Sequence, residues 1–277
     1  MKKVIVVTGA SQGFGKLISL TLADSGHQVI ATMRNIATKN KNAADELYQH
    51  KNIEVVELDV SVDTSVKDAI VEISNKYSKI DVWINNAGVM GLGIMEATSI
   101  YRMQKMFDIN FWGVVRCTQA ILPIMRKQAS GLIINISSGM GIIATPLAAP
   151  YIASKFAVEG FTESLQMELK HFGIEMVSVL PGAFPTSIAS TGEFDADLEF
   201  VKQDYGKTYS GKLTSLFESI ATNQENLRLD PQEVADAVNA VIEISDGKRP
   251  RSVSVNRFPI TLKKNILNLK IISQKSG

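Results

Sequence analysis

The chain has 277 residues, 45% of them hydrophobic, with 29 Lys plus Arg against 28 Asp plus Glu. That is enough apolar material for one large core, and too balanced a charge to gather nucleic acid or an anionic membrane through a global field. A single cysteine, Cys117, excludes an internal disulfide, and no run approaches the ~18 uninterrupted apolar residues of a membrane span.

The first apolar run, residues 4–7 behind Lys2 and Lys3, is too short for a secretion signal and reads as a strand, so a cytoplasmic protein is expected. Further strands are predicted at 28–32, 53–58, 82–84, 131–136 and 175–180, the first run extending over 3–8, with 252–255 a weaker seventh. Helical patterns of about 10 to 20 residues separate them, long enough for right-handed crossovers that place helices on both faces of a sheet. The fold class expected is α/β, a three-layer, doubly wound parallel sheet of Rossmann-like architecture. Cys117 lies in an apolar stretch that reads as packed helix.

Between about residues 183 and 229 the rhythm breaks, with Gly182, Pro185, Gly192, Gly206 and Gly211 interrupting weak helical patches. A long irregular insertion after a strand suits a substrate lid. Asp230 and Pro231 then supply an N-cap and a first-turn proline for a late helix striped by Val234, Val238 and Val241, expected to cover the sheet edge. The variable end, about residues 256–277, carries Leu262, Ile266, Leu269 and Ile272 at helical spacing beside Lys263, Lys264 and Lys270. Packing on its own domain or a partner subunit is expected there in preference to a membrane surface. No repeat or linker divides the chain, so residues 1–277 are expected to form one domain.

The first strand runs into Thr8, Gly9, Ala10, Ser11, Gln12, Gly13, Phe14 and Gly15, after which Leu17, Ile18 and Leu22 begin a helical period. Glycines without Cβ atoms let a pyrophosphate approach the backbone, and the helix start offers unpaired N–H groups to the same anion. The glycine spacing is longer than that of the general dinucleotide fingerprint, so this turn alone leaves a purely structural role open.

In this position the motif resembles the cofactor turn of short-chain dehydrogenases/reductases, and further motifs agree in order. Asp59 with Val60 follows the third strand, where the family places a carboxylate against the adenine. Asn86, Ala87 and Gly88, behind Asn85, follow the fourth, where the family lines its cofactor cleft. Asn110, Ser138, Tyr151 and Lys155 match its catalytic residues, and Pro181, Gly182 and Thr186 its nicotinamide-side segment. The resemblance covers residues 1–190 and implies a carbonyl–alcohol oxidoreductase using NAD(P).

Tyr151 and Lys155 share one helical face. An unperturbed tyrosine, with a pKa of about 10, is too weak a base near neutrality, and an adjacent ammonium is expected to lower it. Ser138, distinguished from Ser137 by the family's spacing, is expected to hold the substrate oxygen at the phenol, beside Phe184. Asn110, within a helix over 107–118, is expected to anchor a proton-relay water, or else only to satisfy local backbone. Strand two ends in Met33 and Arg34, without the carboxylate that selects NAD, so NADP(H) is expected, with the Arg34 fork on a 2′-phosphate and Ser11 and Lys39 or Lys41 assisting. The Ala31 to Arg34 segment resembles hydroxysteroid and retinol dehydrogenases.

The substrate expected is an apolar carbonyl or alcohol, from Met90, Ile142, Leu147, Phe184 and Phe194. His27, His50 and His171 lack ligand spacing, so no metal is expected. The family implies a homodimer or homotetramer, with Val114, Phe156 and Phe161 available to an interface. Two other readings remain open: a non-catalytic NADP(H)-binding or redox-sensing protein, and a nucleotide-sugar epimerase, which would return its hydride.

Overall fold

The computed structural model describes residues 2–186, 188 and 192–255. Strands form where the sequence predicts them, within a residue at most ends: β1 (Val4–Thr8), β2 (Gln28–Met33), β3 (Ile53–Glu57), β4 (Val82–Asn85), β5 (Gly131–Ile136), β6 (Ile174–Pro181) and β7 (Ser252–Val255). All pairs are parallel, in the order β3-β2-β1-β4-β5-β6-β7. Continuous apolar runs rather than alternation are what a sheet covered on both faces requires, and Ile5, Val6 and Val7 are all fully buried.

Alternate residues supply the two cores. Ile5, Val7, Val29 and Ala31 face α1 (Gly13–Asp24), α2 (Lys41–Tyr48) and α8 (Gln232–Glu243). Val6, Ile30, Trp83 and Ile133 face α3 (Asp63–Lys76), α5 (Gly113–Gln128) and the end of α6 (Ala149–Leu169). The strand order reverses between β1 and β4, and the crevice beyond the carboxyl ends of these strands is where an open α/β sheet binds ligands.

A chain of buried polar bonds crosses the second core. Trp83 Nε1 donates to Asn85 Oδ1 at 2.8 Å, Asn85 Nδ2 to Asn135 Oδ1 at 2.8 Å, and Asn135 Nδ2 to Thr162 Oγ1 at 2.7 Å. Each link would leave a buried group unpaired if its partner were removed, at a cost of about 1–3 kcal/mol.

Two expectations are corrected. The stretch expected to be irregular is largely helical: α7 spans Glu199–Asn226, with Gly206 at φ 52° and ψ −138° kinking it while Gly211 continues the helix. Asp230 does cap the late helix, its Oδ1 accepting from Gln232 N at 2.9 Å, and α8 packs on α1, on β6 and on the edge strand β7. Asn110 is not in a continuous α-helix: α4 (Ile100–Phe107) passes through a π-helical turn, Asp108–Trp112, before α5 begins. The C-terminal helical pattern lies outside the described residues.

Candidate active site

The turn after β1 is held from behind by the chain leaving β4. Thr8 Oγ1 donates to Ile84 O and accepts from Asn86 N and Ala87 N, while Asn86 Nδ2 donates to Thr8 O at 2.8 Å and Gly9 O at 3.1 Å. Gly9 has φ +68°, and a Cβ there would lie 2.8 Å from Ala87 Cα; one on Gly15 would lie 2.3 Å from Gly9 O. No side chain caps the first turn of α1, so its N–H groups remain free for an anion. This glycine-rich cradle on an uncapped helix start fits the pyrophosphate of a dinucleotide.

From the turn a cavity of about 450 Å³ runs along the carboxyl edge of the sheet. It brings together most of the residues singled out in the sequence. Gly9, Ser11, Gln12, Gly13 and Phe14 line one side, Arg34, Asp59 and Val60 one end, and Asn86, Ala87 and Gly88 the floor. Ser138, Tyr151 and Lys155 stand at the far side, with Pro181, Gly182, Phe184 and Thr186 opposite. Thr8, Gly15 and Asn110 do not line it; the first two shape the turn from beneath, and Asn110 is fully buried behind the wall.

At the Arg34 end, Met33 is buried and offers no carboxylate. Arg34 is 43% exposed and only 4.0 Å from Asp59 Oδ2, so its fork is not consumed by that contact. The loop after it is fixed by Glu57, which accepts from Asn35 N at 2.6 Å and Ile36 N at 2.9 Å, and by Asn40 Nδ2 bonding Arg34 O. Of the two assisting lysines, Lys39 lines the cavity; Lys41 pairs instead with Asp45 at 2.5 Å, its i+4 neighbour.

At the other end, Pro150 opens α6 and places Tyr151 in its first turn, over the end of β5 that carries Ser138. Burial raises the Tyr151 phenol above its usual range, and the hydrogen bond with the Ser138 hydroxyl pulls it partly back. The lowering expected from Lys155 is not what governs Tyr151 here. Lys155 Nζ lies 5.9 Å from the Tyr151 ring centre and donates to Ile136 O at 3.0 Å. Burial lowers the Lys155 ammonium to about 8, with Glu159 raising it in part. Glu159 is itself raised by burial and drawn back by the Ser137 and Ser178 hydroxyls and by Lys155. Ser178 donates to it at 2.9 Å, whereas Ser137 Oγ lies beside it short of full hydrogen-bond geometry. Ser137 thus points into the cluster behind Lys155 and Ser138 toward the phenol, as strand alternation requires.

The Asn110 side chain is fully engaged. Oδ1 accepts from Val89 N at 2.8 Å, and Nδ2 donates to Val89 O and Ser154 Oγ. The backbone it satisfies is that of Val89, 21 residues away rather than local, and it shares Gly88 with the lysine: a Cβ on Gly88 would lie 3.4 Å from Asn110 Oδ1 and 3.7 Å from Lys155 Nζ. Lining residues that sequence patterning left unmarked include Leu92, Met140, Ile188, Ile220 and Gln224. They come from separate segments with nothing but apolar or neutral character in common, and only the folded chain joins them. Ile142, marked as a wall, is 46% exposed and does not line the cavity; Leu147 and Phe194 also lie outside the lining, although Phe194 packs in the cluster with Tyr151 and Leu92.

The glycine turn, the switch-point cavity and the Ser–Tyr–Lys grouping define a nicotinamide-dependent oxidoreductase class, and the comparisons agree. The chain belongs to the short-chain dehydrogenase/reductase family: residues 3–195 match the sequence profile described as short chain dehydrogenase. It is 35% identical over 289 residues to the uncharacterized oxidoreductase YusZ of Bacillus subtilis (strain 168), covering 98% of this chain and 99% of that protein. It is 33% identical over 276 residues to retinol dehydrogenase 8 of Homo sapiens, covering 95% and 85%. Two solved structures carry nicotinamide cofactors. A variant of actinorhodin polyketide ketoreductase with NADPH superposes with a TM-score of 0.77 at 27% identity, covering 92% of this chain and 95% of that one. A family member from Burkholderia phymatum in complex with NAD superposes at 0.79 with 23% identity, covering 100% and 96%.

Proposed function

We propose that the chain is an NADP(H)-dependent oxidoreductase that interconverts an apolar carbonyl and its alcohol, with Tyr151 as the general acid and base. The observation that carries this is one cavity lined both by the uncapped glycine turn and by Ser138, Tyr151 and Lys155. NADP(H), when bound, supplies or accepts the hydride at the substrate carbon.

In the reducing direction the Ser138 hydroxyl holds the carbonyl oxygen beside Tyr151. As the carbon gains its new C–H bond, the C=O π pair moves onto oxygen, and the Tyr151 O–H proton passes to it to complete the alcohol. A phenol raised by burial stays protonated and ready to donate; the phenolate left behind is stabilised by the hydrogen bond with the Ser138 hydroxyl and by its place in the first turn of α6. Lys155, lowered to about 8, can return a proton near neutrality, and Asn110 fixes the wall beside it. Alcohol oxidation runs the same transfers backwards.

Residues 183–229 act in this reading as the substrate lid, tied to the cavity wall by Gln224 Nε2 donating to Ala183 O at 2.9 Å. The wall around Met90, Leu92, Met140, Phe184 and Ile220 favours an apolar substrate. No helix among the described residues is long and apolar enough to cross a membrane, and a cytoplasmic location accords with the reading. For the interface between copies, Val114 is unavailable, being buried in its own fold, whereas Trp112 and Phe156 are 51% and 44% exposed around the Phe111–Phe161 ring pair. A homodimer or homotetramer through this face is expected in sedimentation at micromolar concentration, and a mass of 30.2 kDa there would exclude it.

The test is NADPH and NADH consumption against long-chain aldehydes, aryl ketones and quinones, run on the native chain and on Arg34→Asp. Turnover is expected with NADPH, and Arg34→Asp is expected to lower the NADPH-to-NADH efficiency ratio roughly 10- to 100-fold, the worth of a charge-assisted contact. An unchanged ratio would remove Arg34 from cofactor choice. NADPH binding without turnover across the panel would favour the non-catalytic reading, and turnover without net cofactor consumption the epimerase.

A further inference from the structure

The π-helical turn that carries Asn110 is held by a residue that belongs to neither end of the cavity. Arg116, one turn into α5, donates from Nη2 to Asp108 Oδ1 at 2.7 Å and from Nη1 to Asp108 O at 3.2 Å, gripping the first residue of the turn by side chain and backbone together. The same guanidinium reaches the other way. Nη1 also approaches Val60 O at 3.4 Å, and Nε donates to Asp63 Oδ1 at 2.6 Å. Asp59 and Val60 form the wall next to Arg34, and Ile109, inside the turn, lines the same cavity.

The two segments also touch directly. A Cβ on Gly113, the first residue after the turn, would lie 2.8 Å from Val60 Cγ2, so these pieces of chain pack more closely than a side chain at 113 would allow. A planar fork with fixed donor directions is suited to spanning two such segments at once, which a point charge is not. A π turn adds a residue to a helical circuit and must be stabilised by its surroundings; such turns concentrate at functional sites. Asn110 sits in this one, beside Gly88 and within reach of the Lys155 environment.

We propose that Arg116 is a positioning residue that locks the Asn110 turn to the adenine-side wall of the cavity, so that dinucleotide seated on Asp59 and Val60 tightens the turn carrying Asn110. This rests on the reading of the cavity as a dinucleotide site with Asn110 in its catalytic machinery. It gives the two ends of the cavity a polar link through Arg116, beside the direct packing of Gly113 on Val60.

Amide hydrogen exchange on the full chain, with and without NADPH, reads the coupling without any substrate. NADPH is expected to slow exchange over residues 108–113 in the native protein. In Arg116→Gln that protection is expected to be lost while protection of the glycine turn remains, and Arg116→Lys is expected to restore it only in part. Equal protection of 108–113 in native and Arg116→Gln proteins, or none in the native protein despite protection at the turn, overturns the proposal. Absence of NADPH protection at the glycine turn instead overturns the dinucleotide reading, and the proposal with it.

A kinetic cycle checks the catalytic consequence, using the panel carbonyl turned over fastest. Arg116→Gln is expected to lower kcat roughly tenfold, with little change in the substrate KM, and to have no further effect in an Asn110→Ala background, because contacts acting as one unit are non-additive. Multiplying losses would overturn the proposal, and full kcat in Asn110→Ala would overturn the catalytic reading of Asn110 on which it rests. If Arg116→Gln does not fold, Asp108→Asn in the same two backgrounds reads the same coupling, since it weakens the partner and keeps the backbone carbonyl.

Discussion

Tyr151→Phe is expected to lower kcat by about 10²- to 10⁴-fold, the usual worth of a positioned general acid, while leaving the affinity for NADPH nearly unchanged. The substitution removes one oxygen from a side chain that is otherwise buried in the apolar cluster with Leu92, Met106, Met140 and Ile152, so the ring keeps its surroundings and the wall its shape. What is lost is the proton that burial keeps on the phenol and the partner of the Ser138 hydroxyl. Ser138 retains Met140 N as a donor at 3.1 Å and stays in place, which makes the variant a clean removal of the acid. Steady-state turnover with the best carbonyl of the panel, together with NADPH fluorescence titration, measures both quantities. Turnover within tenfold of the native value would mean that another group, or water, delivers the proton.

Gly15→Ala is the second large effect, and it acts on binding. The added methyl carbon would stand 2.3 Å from Gly9 O and 2.4 Å from Asn86 Nδ2, and the first of these atoms is backbone. A flexible side chain could give way; the turn can make room only by shifting the peptides that face the cavity. Overpacking of this kind costs about 1–3 kcal/mol, and where the displaced atoms are those that cradle the ligand it becomes a rise of roughly 10- to 100-fold in the dissociation constant for NADPH. Titration of the variant tests it directly. An unaltered affinity would show that the turn binds nothing that depends on its present shape.

The sheet was legible because its strands are buried on both faces. Runs such as Val4 to Val7 have no polar interruption, and glycine or polar residues mark their ends, so little tertiary information is needed to find them. The Tyr151 and Lys155 pair was legible from spacing within one helix. The 183–229 stretch was less legible because its glycines disfavour helix: Gly206 does kink α7 at a positive φ, but the helical pattern resumes beyond it, with Leu213 and Leu216 packed against the cluster that includes Tyr151 and Phe194. The π turn left no mark in the sequence, since its extra residue is accommodated by Asp108, Arg116 and the approach of Gly113 to Val60, which are contacts between distant segments. The choice of Lys39 over Lys41 has a local cause instead: Asp45 captures Lys41 four residues away on the same helix, a spacing that the sequence does carry.

The amide pair between Asn85 and Asn135 has a consequence for assembly of the site. These residues are directly opposed on β4 and β5, the two strands that lead respectively into Asn86 and into Ser138. A slip of one residue between the strands would turn one amide to the other face and strand Trp83 Nε1 or the opposing amide without its partner. Purely apolar neighbours would tolerate such a slip far better, because oil on oil has no preferred address. The pair therefore works as an alignment key, cut at the joint between the two halves of the cavity. The spacing of Asn86 at the end of one strand from Ser138 beyond the end of the next is held by this pair.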